Sequence, residues 1–295
     1  MNNSGFLLGK TLFYDSRLSR NGRISCASCH QQSGAFSNLN TAISTGANNL
    51  KGTRNTPAIF NLAWQEEFMW DGRLNLLELV PVNAITSPKE MDNSMENVVK
   101  TLNQDSAYLR LFRQSFGDQV ITQQRLLNAL SQFTIMLISS NSKFDKVTRR
   151  EGSAQFTEQE FSGYRLFLAK CNGCHSAPLF TDRGYHNNGL DLQYSDSGRD
   201  SLTHQLNDLA KFKTPSLRNV EITGPYMHDG RFKTLTQVLE HYNSGVKNHA
   251  NLDPLLKNGD ITGIKLGAAE RENIIAFLKT LTDLDLINNR QFNLN

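Results

Sequence analysis

The sequence predicts an all-α chain built from two similar halves, with long irregular loops between the helices. Three observations carry this prediction. Apolar residues recur at helical spacing in several capped segments, no two segments alternate convincingly enough to pair as strands, and one set of motifs appears twice in the same order.

The helices follow from caps and periodicity. In the first half, Ser94 to Leu102, Ser106 to Phe116 and Thr122 to Ser139 carry helical periodicity. Thr157 with Glu160 forms a capping box, and Phe156 with Phe161 a hydrophobic staple, at the head of the next helix. "AERENIIAFLKTL" sets Ile274, Phe277, Leu278 and Leu281 on one face. In "KTLTQVLEHYNSG", Thr234 and Gln237 make a capping box, Leu235, Val238, Leu239 and Tyr242 share a face, and Gly245 ends the helix. Taken alone, Tyr242 reads as a core aromatic. A chain of 295 residues accommodates about two domains, and "TRREGSAQ" near residue 150 is the natural linker. The expected domains are therefore 1–150 and 151–295.

A formal charge of +3 with scattered lysines and arginines offers no basic tract for nucleic acid or a charged membrane surface. No stretch reaches the roughly 18 apolar residues of a membrane span. The nearest, "RLLNALSQFTIMLISS", is interrupted by Asn128, Ser131, Gln132 and Thr134. The opening "MNNSGFLLGK" lacks the features of a signal peptide, so the protein is either cytosolic or has lost an export signal. A hydrophobic share of 38% and an aromatic share of 9% suggest that something other than side chains fills part of the interior.

The cysteines identify that filling. All four lie in "CASCH" and "CNGCH": Cys26, Cys29, Cys171 and Cys174, each pair followed at once by a histidine, His30 and His175. Two thiols a helical turn apart add to the vinyl groups of one porphyrin, and the adjacent histidine supplies the proximal nitrogen to iron. A redox disulfide does not require the histidine. A shared zinc site would have to join pairs about 145 residues apart. Chance does not account for two matches that use every cysteine. Two covalent c-type haems are expected, and because such haems are attached outside the cytoplasmic membrane, so is export.

The repeat extends beyond these motifs. "NTPAIFNLAWQEEFMWDGR" matches "KTPSLRNVEITGPYMHDGR", with an Asn four residues after each Thr-Pro and the same offset from Thr56 to Asp71 as from Thr214 to Asp229. "GKTLFYD" and "GYRLFLAK" precede the two C-x-x-C-H motifs, and "HQQSGAFSN" matches "HSAPLFTD" after them. The fold expected is two duplicated cytochrome c-type domains.

With these motifs, and with "LGKTLFYDSRLSRNGRISCASCH", "SPKEM" and "AFLKTLTD", nearly the whole chain resembles the bacterial dihaem cytochrome c peroxidase family, which includes the MauG-type enzymes. The resemblance implies a periplasmic enzyme that reduces hydrogen peroxide with two unequal haems. It assigns Cys26, Cys29 and His30 to the peroxide-reacting haem, and Cys171, Cys174 and His175 to the electron-relay haem. Trp70 matches the tryptophan between the haems, and Glu90 the distal acid that moves a proton between peroxide oxygens. Without the resemblance, Trp70 reads as a core side chain and Glu90 as a first-turn helix residue. Asn55, Thr223 and Pro225 match positions that ligate calcium, and His228 a position near the relay haem. The partners implied are hydrogen peroxide and a small c-type cytochrome or copper protein as electron donor, or else a protein substrate; a homodimer is compatible with the resemblance.

Three departures from the family pattern stand out. The loop "QQSGAFSNLNTAISTGANNLKGTR" lacks the histidine that caps the N-terminal iron in typical members, which implies an open, five-coordinate haem. The relay-haem methionine, 14 residues after the Asp-Gly histidine, is replaced by Tyr242, as in the MauG-like branch. A phenolate is a hard anionic ligand and lowers the haem potential. Met227, with a repeat partner in Met69, is structural. Val80 stands at the usual distal glutamine. Three functions compete on this basis: a peroxidase, a MauG-like enzyme oxidising aromatic residues of a partner protein, and a non-catalytic dihaem electron carrier. The missing loop histidine disfavours the last.

Overall fold

The computed structural model describes residues 3–294. It is mostly helical, and its described residues divide into two compact units. The first comprises residues 3–66, 74–139 and 286–294; the second comprises Glu67–Arg73 and Ser140–Asp285. The expected domains are continuous in sequence, whereas each unit takes in a short segment from the far side of residue 150.

The first unit holds α1 (Asn3–Tyr14), α2 (Cys26–Cys29), α3 (Val80–Thr86), α4 (Met95–Asn103), α5 (Ser106–Phe116) and α6 (Gln123–Thr134). Ser94, Asp105 and Thr122 cap α4, α5 and α6 through their side-chain oxygens. α1 crosses α6 at a glycine: a Cβ on Gly9 would overlap the carbonyl oxygen of Ala129. That approach lets Phe13 meet Phe133 at 5.0 Å between ring centroids, with Phe36 at 6.2 Å from Phe13. The C-terminal segment closes this core, for Phe292 packs on Phe36 and Phe133 while its carbonyl accepts from the Tyr14 hydroxyl.

The second unit holds α7 (Lys143–Thr148), α8 (Glu158–Lys170), α9 (Asp200–Thr203), α10 (Leu235–Glu240) and α11 (Ala268–Lys279); α12 (Leu284–Asn288) runs across the boundary at residue 286. The contacts of the first core recur here. Gly163 of α8 lies against the Asn273 carbonyl of α11, Phe167 meets Phe277 at 5.0 Å, and Phe180 lies 5.8 Å from Phe167. Each such ring, once buried, contributes about 1.5–3 kcal/mol. Ile274, Phe277, Leu278 and Leu281 are all buried, as their spacing predicts.

Three expectations need correction. The helix over 122–139 ends at Thr134, because Asn61 takes the backbone of the residues that follow. Asn61 Nδ2 donates to the Ser139 carbonyl, its Oδ1 accepts from Ser139 N–H, and its own N–H donates to the Leu137 carbonyl. The repeat-related Asn219 likewise donates its N–H to the Leu281 carbonyl and accepts through Oδ1 from Asp283 N–H, and both asparagines have positive φ, 55° and 58°. Phe161 is 52% exposed and forms no staple. It sits two residues from Gly163, on the other side of α8, and Phe156 packs instead on Phe144, Tyr164 and Phe277. Strands do exist, as two antiparallel two-residue pairs: β1 (Tyr185–His186) with β2 (Phe212–Lys213), and β3 (Lys257–Asn258) with β4 (Ile261–Thr262). They are too short for any alternation to show.

Gly163→Ala forces α8 off α11, and the expected loss is about 1–3 kcal/mol of stability. A lower denaturant midpoint with unchanged haem content is the result to look for; an unchanged midpoint means the helices have room to part.

Candidate haem sites

In the first unit, Ser25 and Ser28 form a capping box that winds Cys26–Cys29 into one helical turn. His30 N–H then donates to the Cys26 carbonyl at 2.8 Å, and its imidazole Nδ1 lies 2.9 Å from the Phe36 carbonyl. A carbonyl only accepts, so Nδ1 carries the proton and Nε2 keeps its lone pair for a metal. The arrangement recurs in the second unit, where His175 N–H bonds the Cys171 carbonyl at 3.0 Å and Nδ1 lies 3.1 Å from the Phe180 carbonyl. Phe36 and Phe180 have φ of 60° and 56°, a left-handed backbone that bulky residues avoid, and it aims each carbonyl at its histidine. Burial lowers the basicity of His30, with the Phe36 and Pro57 carbonyls working against it. Burial takes His175 down to about 4, against the Phe180 carbonyl, Asp182 and the Pro215 carbonyl. Both imidazoles are neutral, as metal ligation requires. The repeated Thr-Pro segments thus lie beside the two histidines.

None of the four cysteines is in a disulfide. Burial pushes Cys26 up to about 12, and the charges of Cys29 and Glu90 add to it; Cys29 is raised by burial and by Glu90 against a Ser44 hydrogen bond. Glu90 is therefore within electrostatic reach of both thiols. Its turn is pinned from several sides. Glu90 N–H and Asp92 N–H both donate to the Ser87 carbonyl at 3.0 Å, and the Glu90 carbonyl accepts from Ala47 N–H at 2.6 Å. Gly46 lies so close that a Cβ there would overlap the Lys89 carbonyl. Burial raises the Glu90 carboxyl, a Ser87 hydrogen bond partly offsetting it, so the group holds a proton more readily than an ordinary glutamate. Val80 begins α3, the helix that leads into this turn, and is half-buried. Asn55 is buried and donates through Nδ2 to the Thr41 and Ala42 carbonyls.

In the second unit, Thr234 and Gln237 form the expected capping box of α10. The helix then widens into a π turn, His241–Gly245, which carries Tyr242. Tyr242 packs against Val246, Leu252, Leu256 and Ile264. Burial pushes its phenol up to about 12; an Asn188 hydrogen bond pulls it down, and the Cys174 and Cys171 thiols and Asp253 push it further up. Tyr242 is thus within electrostatic reach of Cys171 and Cys174. Burial takes the Cys171 and Cys174 thiols up to about 12 as well. Each unit offers two thiols and a neutral imidazole in the order a c-type haem needs, and the donor set fits that group.

The other expected residues are distributed as follows. Trp70 lies in the 67–73 segment of the second unit, its carbonyl accepting from Lys213 N–H at 2.8 Å. His228 stacks on Phe212 at 3.8 Å and 10° between planes. The two Asp-Gly-Arg turns match: Met69 and Met227 have φ of 70° and 73°, and Arg73 and Arg231 fold back on Asp71 and Asp229. Met227 Sδ accepts from Asn188 Nδ2 at 3.3 Å. Of the expected calcium residues, Asn55 falls in the first unit, and Thr223 and Pro225 in the second.

Sequence reasoning missed several contributors. Asn188 joins Tyr242, Met227 and, through its carbonyl, His241 Nε2 at 3.0 Å. His186 sits between two carboxylates, with Nε2 2.8 Å from Asp182 and Nδ1 2.5 Å from Asp253. Cys174 Sγ, Asp182 and His186 offer ligand atoms within 4.8 Å of one another. A thioether bond to haem removes that sulfur as a donor, and both imidazole nitrogens are engaged, so the group is a charge cluster and not a second metal centre. These residues have no counterpart in the first half, so the repeat gave no signal for them. Phe36 and Phe180 do align, and that match was the available clue.

Burial lowers the His186 pKa, but the Asp253 and Asp182 hydrogen bonds outweigh it, and the net shift is upward. A group raised on folding stabilises fully below its unfolded pKa of about 6.5 and stops doing so as pH rises through the folded value. The melting temperature of the wild type should therefore exceed that of His186→Gln most at about pH 6 and least at about pH 9; a gap independent of pH counts against the clamp.

The comparisons agree with this geometry. Residues 3–153 match the family model described as Di-haem cytochrome c peroxidase. The chain is 37% identical over 280 residues to the methylamine utilization protein MauG of Methylophilus methylotrophus, covering 93% of this chain and 81% of that one. It is 34% identical over 281 residues to the cytochrome c551 peroxidase of Nitrosomonas europaea, covering 93% and 79%. A solved MauG-like protein associated with microbial copper homeostasis superposes with a TM-score of 0.89 at 33% identity, over 99% of this chain and 93% of that one. The chain belongs to the di-haem cytochrome c peroxidase family and is a peroxidase-like oxidoreductase acting on hydrogen peroxide.

Proposed function

We propose that the chain is a periplasmic dihaem peroxidase that reduces hydrogen peroxide in its first unit with electrons received through its second. The observation that carries this reading is the half-buried Glu90, held on a turn pinned by the Ser87 carbonyl and Ala47 N–H and within electrostatic reach of Cys26 and Cys29, in a unit whose 31–54 loop has no histidine to close the site. The haems, when bound, supply the redox chemistry. Glu90 would take the proton from one peroxide oxygen and pass it to the other, which leaves as water while the bound haem supplies the electrons. The pinned 87–92 turn fixes where that proton is held. His30 and His175 would each hold a haem iron, Tyr242 would bind the iron of the second unit as well, Asn188 would orient its phenol, and His228 would stand near that site. Trp70 passes electrons between the units. The electron donor is a small c-type cytochrome or copper protein.

The recurring glycine, phenylalanine and asparagine contacts support a duplication. Asn55, Thr223 and Pro225 are read as calcium ligands on the resemblance, Asn55 being oriented by its bonds to Thr41 and Ala42. A second reading, MauG-like oxidation of aromatic residues on a partner protein, is favoured by Tyr242 grouping with Cys171 and Cys174.

Stopped-flow mixing with peroxide tests the main reading. Fast haem absorbance changes are expected, slowed about 10²–10⁴-fold in Glu90→Gln with both haems retained; their absence in the wild type identifies an electron carrier. Steady turnover with a reduced small cytochrome marks the peroxidase, and a near-infrared band from two coupled haems marks the second reading. Tyr242→Phe should change the resting spectrum of the second haem; an unchanged spectrum removes Tyr242 as its ligand.

A further inference from the structure

Trp70 sits in a short segment whose surroundings in the second unit are unusually specific. Tyr185 of β1 pairs with Lys213 of β2, and Lys213 N–H bonds the Trp70 carbonyl at 2.8 Å. The Tyr185 hydroxyl rests against Gly72, two residues beyond Trp70, where any Cβ would overlap it. Gly72 has φ of 74°, so glycine serves both the turn and the close approach. That hydroxyl donates to Glu67 Oε2 at 2.6 Å, a short charge-assisted bond to a carboxylate.

Arg199 completes the arrangement. Its guanidinium lies 3.7 Å from the centre of the Tyr185 ring, and it also reaches Glu67 Oε1 at 3.4 Å and the Asp71 carbonyl at 3.2 Å. Lys213 Nζ donates to the Glu67 carbonyl at 2.5 Å. A cation stacked on a phenol ring stabilises the neutral ring through its quadrupole and opposes any positive charge on it. An electron can therefore leave this ring readily only if the phenolic proton leaves too, and the Glu67 carboxylate is already hydrogen-bonded to it. Glu67 and Arg199 are 37% and 23% exposed, so the group opens toward solvent.

We infer that Tyr185 is a redox relay, a second station that takes oxidising equivalents from Trp70 and brings them to the protein surface. This rests on the reading that Trp70 carries such equivalents, and hydrogen peroxide is the oxidant that supplies them. In the step, Tyr185 gives one electron to the oxidised Trp70 indole, which returns to its closed-shell form. The Tyr185 O–H bond breaks, a Glu67 O–H bond forms, and a neutral tyrosyl radical remains. An external one-electron donor, or an aromatic side chain of a docked partner, then returns the electron, and Glu67 returns the proton. The burial and the Glu67 contact that raise the phenol's pKa keep Tyr185 protonated at rest, so oxidation and proton loss occur together.

The test is freeze-quench electron paramagnetic resonance of the diheme protein mixed with hydrogen peroxide without a donor, with haem absorbance followed in parallel. The wild type should give a radical signal that narrows when the protein carries ring-deuterated tyrosine. Tyr185→Phe, which keeps the ring under Arg199, should lose that signal with both haems retained. Glu67→Gln, which keeps a hydrogen-bond acceptor but takes up no proton, should reduce it. A tyrosyl signal undiminished in Tyr185→Phe or Glu67→Gln overturns the relay, as does a wild type whose haems respond to peroxide without any tyrosyl signal. Haems that do not respond to peroxide overturn the relay and the peroxidase reading together.

Discussion

The hydrogen bond from each motif histidine to a left-handed phenylalanine carbonyl is the constraint around which the rest is arranged. Nδ1 of His30 and of His175 is held at 2.9 and 3.1 Å, so each ring has one tautomer and one orientation. A left-handed backbone at a bulky residue costs roughly 1–2 kcal/mol. The same residue offsets that cost, because Phe36 and Phe180 are fully buried among the aromatic rings of their units. The core and the site are thus joined through single residues: the side chain belongs to one and the carbonyl to the other. A disturbance of aromatic packing in either unit reaches the histidine through two bonds.

Much of this was legible in the sequence because it is encoded in local pattern. The motif cysteines and histidines, the capping boxes at Thr157 and Thr234, and the buried face of α11 follow from spacing. The matched asparagines of the two Thr-Pro segments announced a shared role, and the structure supplies it: they bind the chain that leaves α6 and α11. What escaped was set by contacts distant in sequence. Asn188 meets residues 39 and 53 positions away, His186 meets Asp253, and the exposure of Phe161 follows from which face of α8 the Gly163 crossing selects. The π turn at Tyr242 was also hidden, since a helical period predicts its face without its wider pitch.

The two units use one framework for unlike environments. Near Cys26 and Cys29 the nearby ionisable group is a carboxyl that burial inclines to hold a proton, and the loop is free of histidine. Near Cys171 and Cys174 stand a phenol, an amide and a carboxylate–imidazole–carboxylate chain. None of the latter has a counterpart in the first unit. The differences are concentrated in the loops after each C-x-x-C-H and in the last turn of α10, which are the places that can vary while the glycine crossings and aromatic cores stay fixed.

The exchange of short segments between units has a consequence for how the chain folds. Residues 67–73 precede the rest of the unit they belong to, and Phe292, a wall of the first aromatic core, follows the second unit in the chain. Each unit is therefore closed by contacts of long sequence separation, which are slow to form. Phe292 thus ties the first core to a segment that follows the second unit, and without it that core lacks one wall.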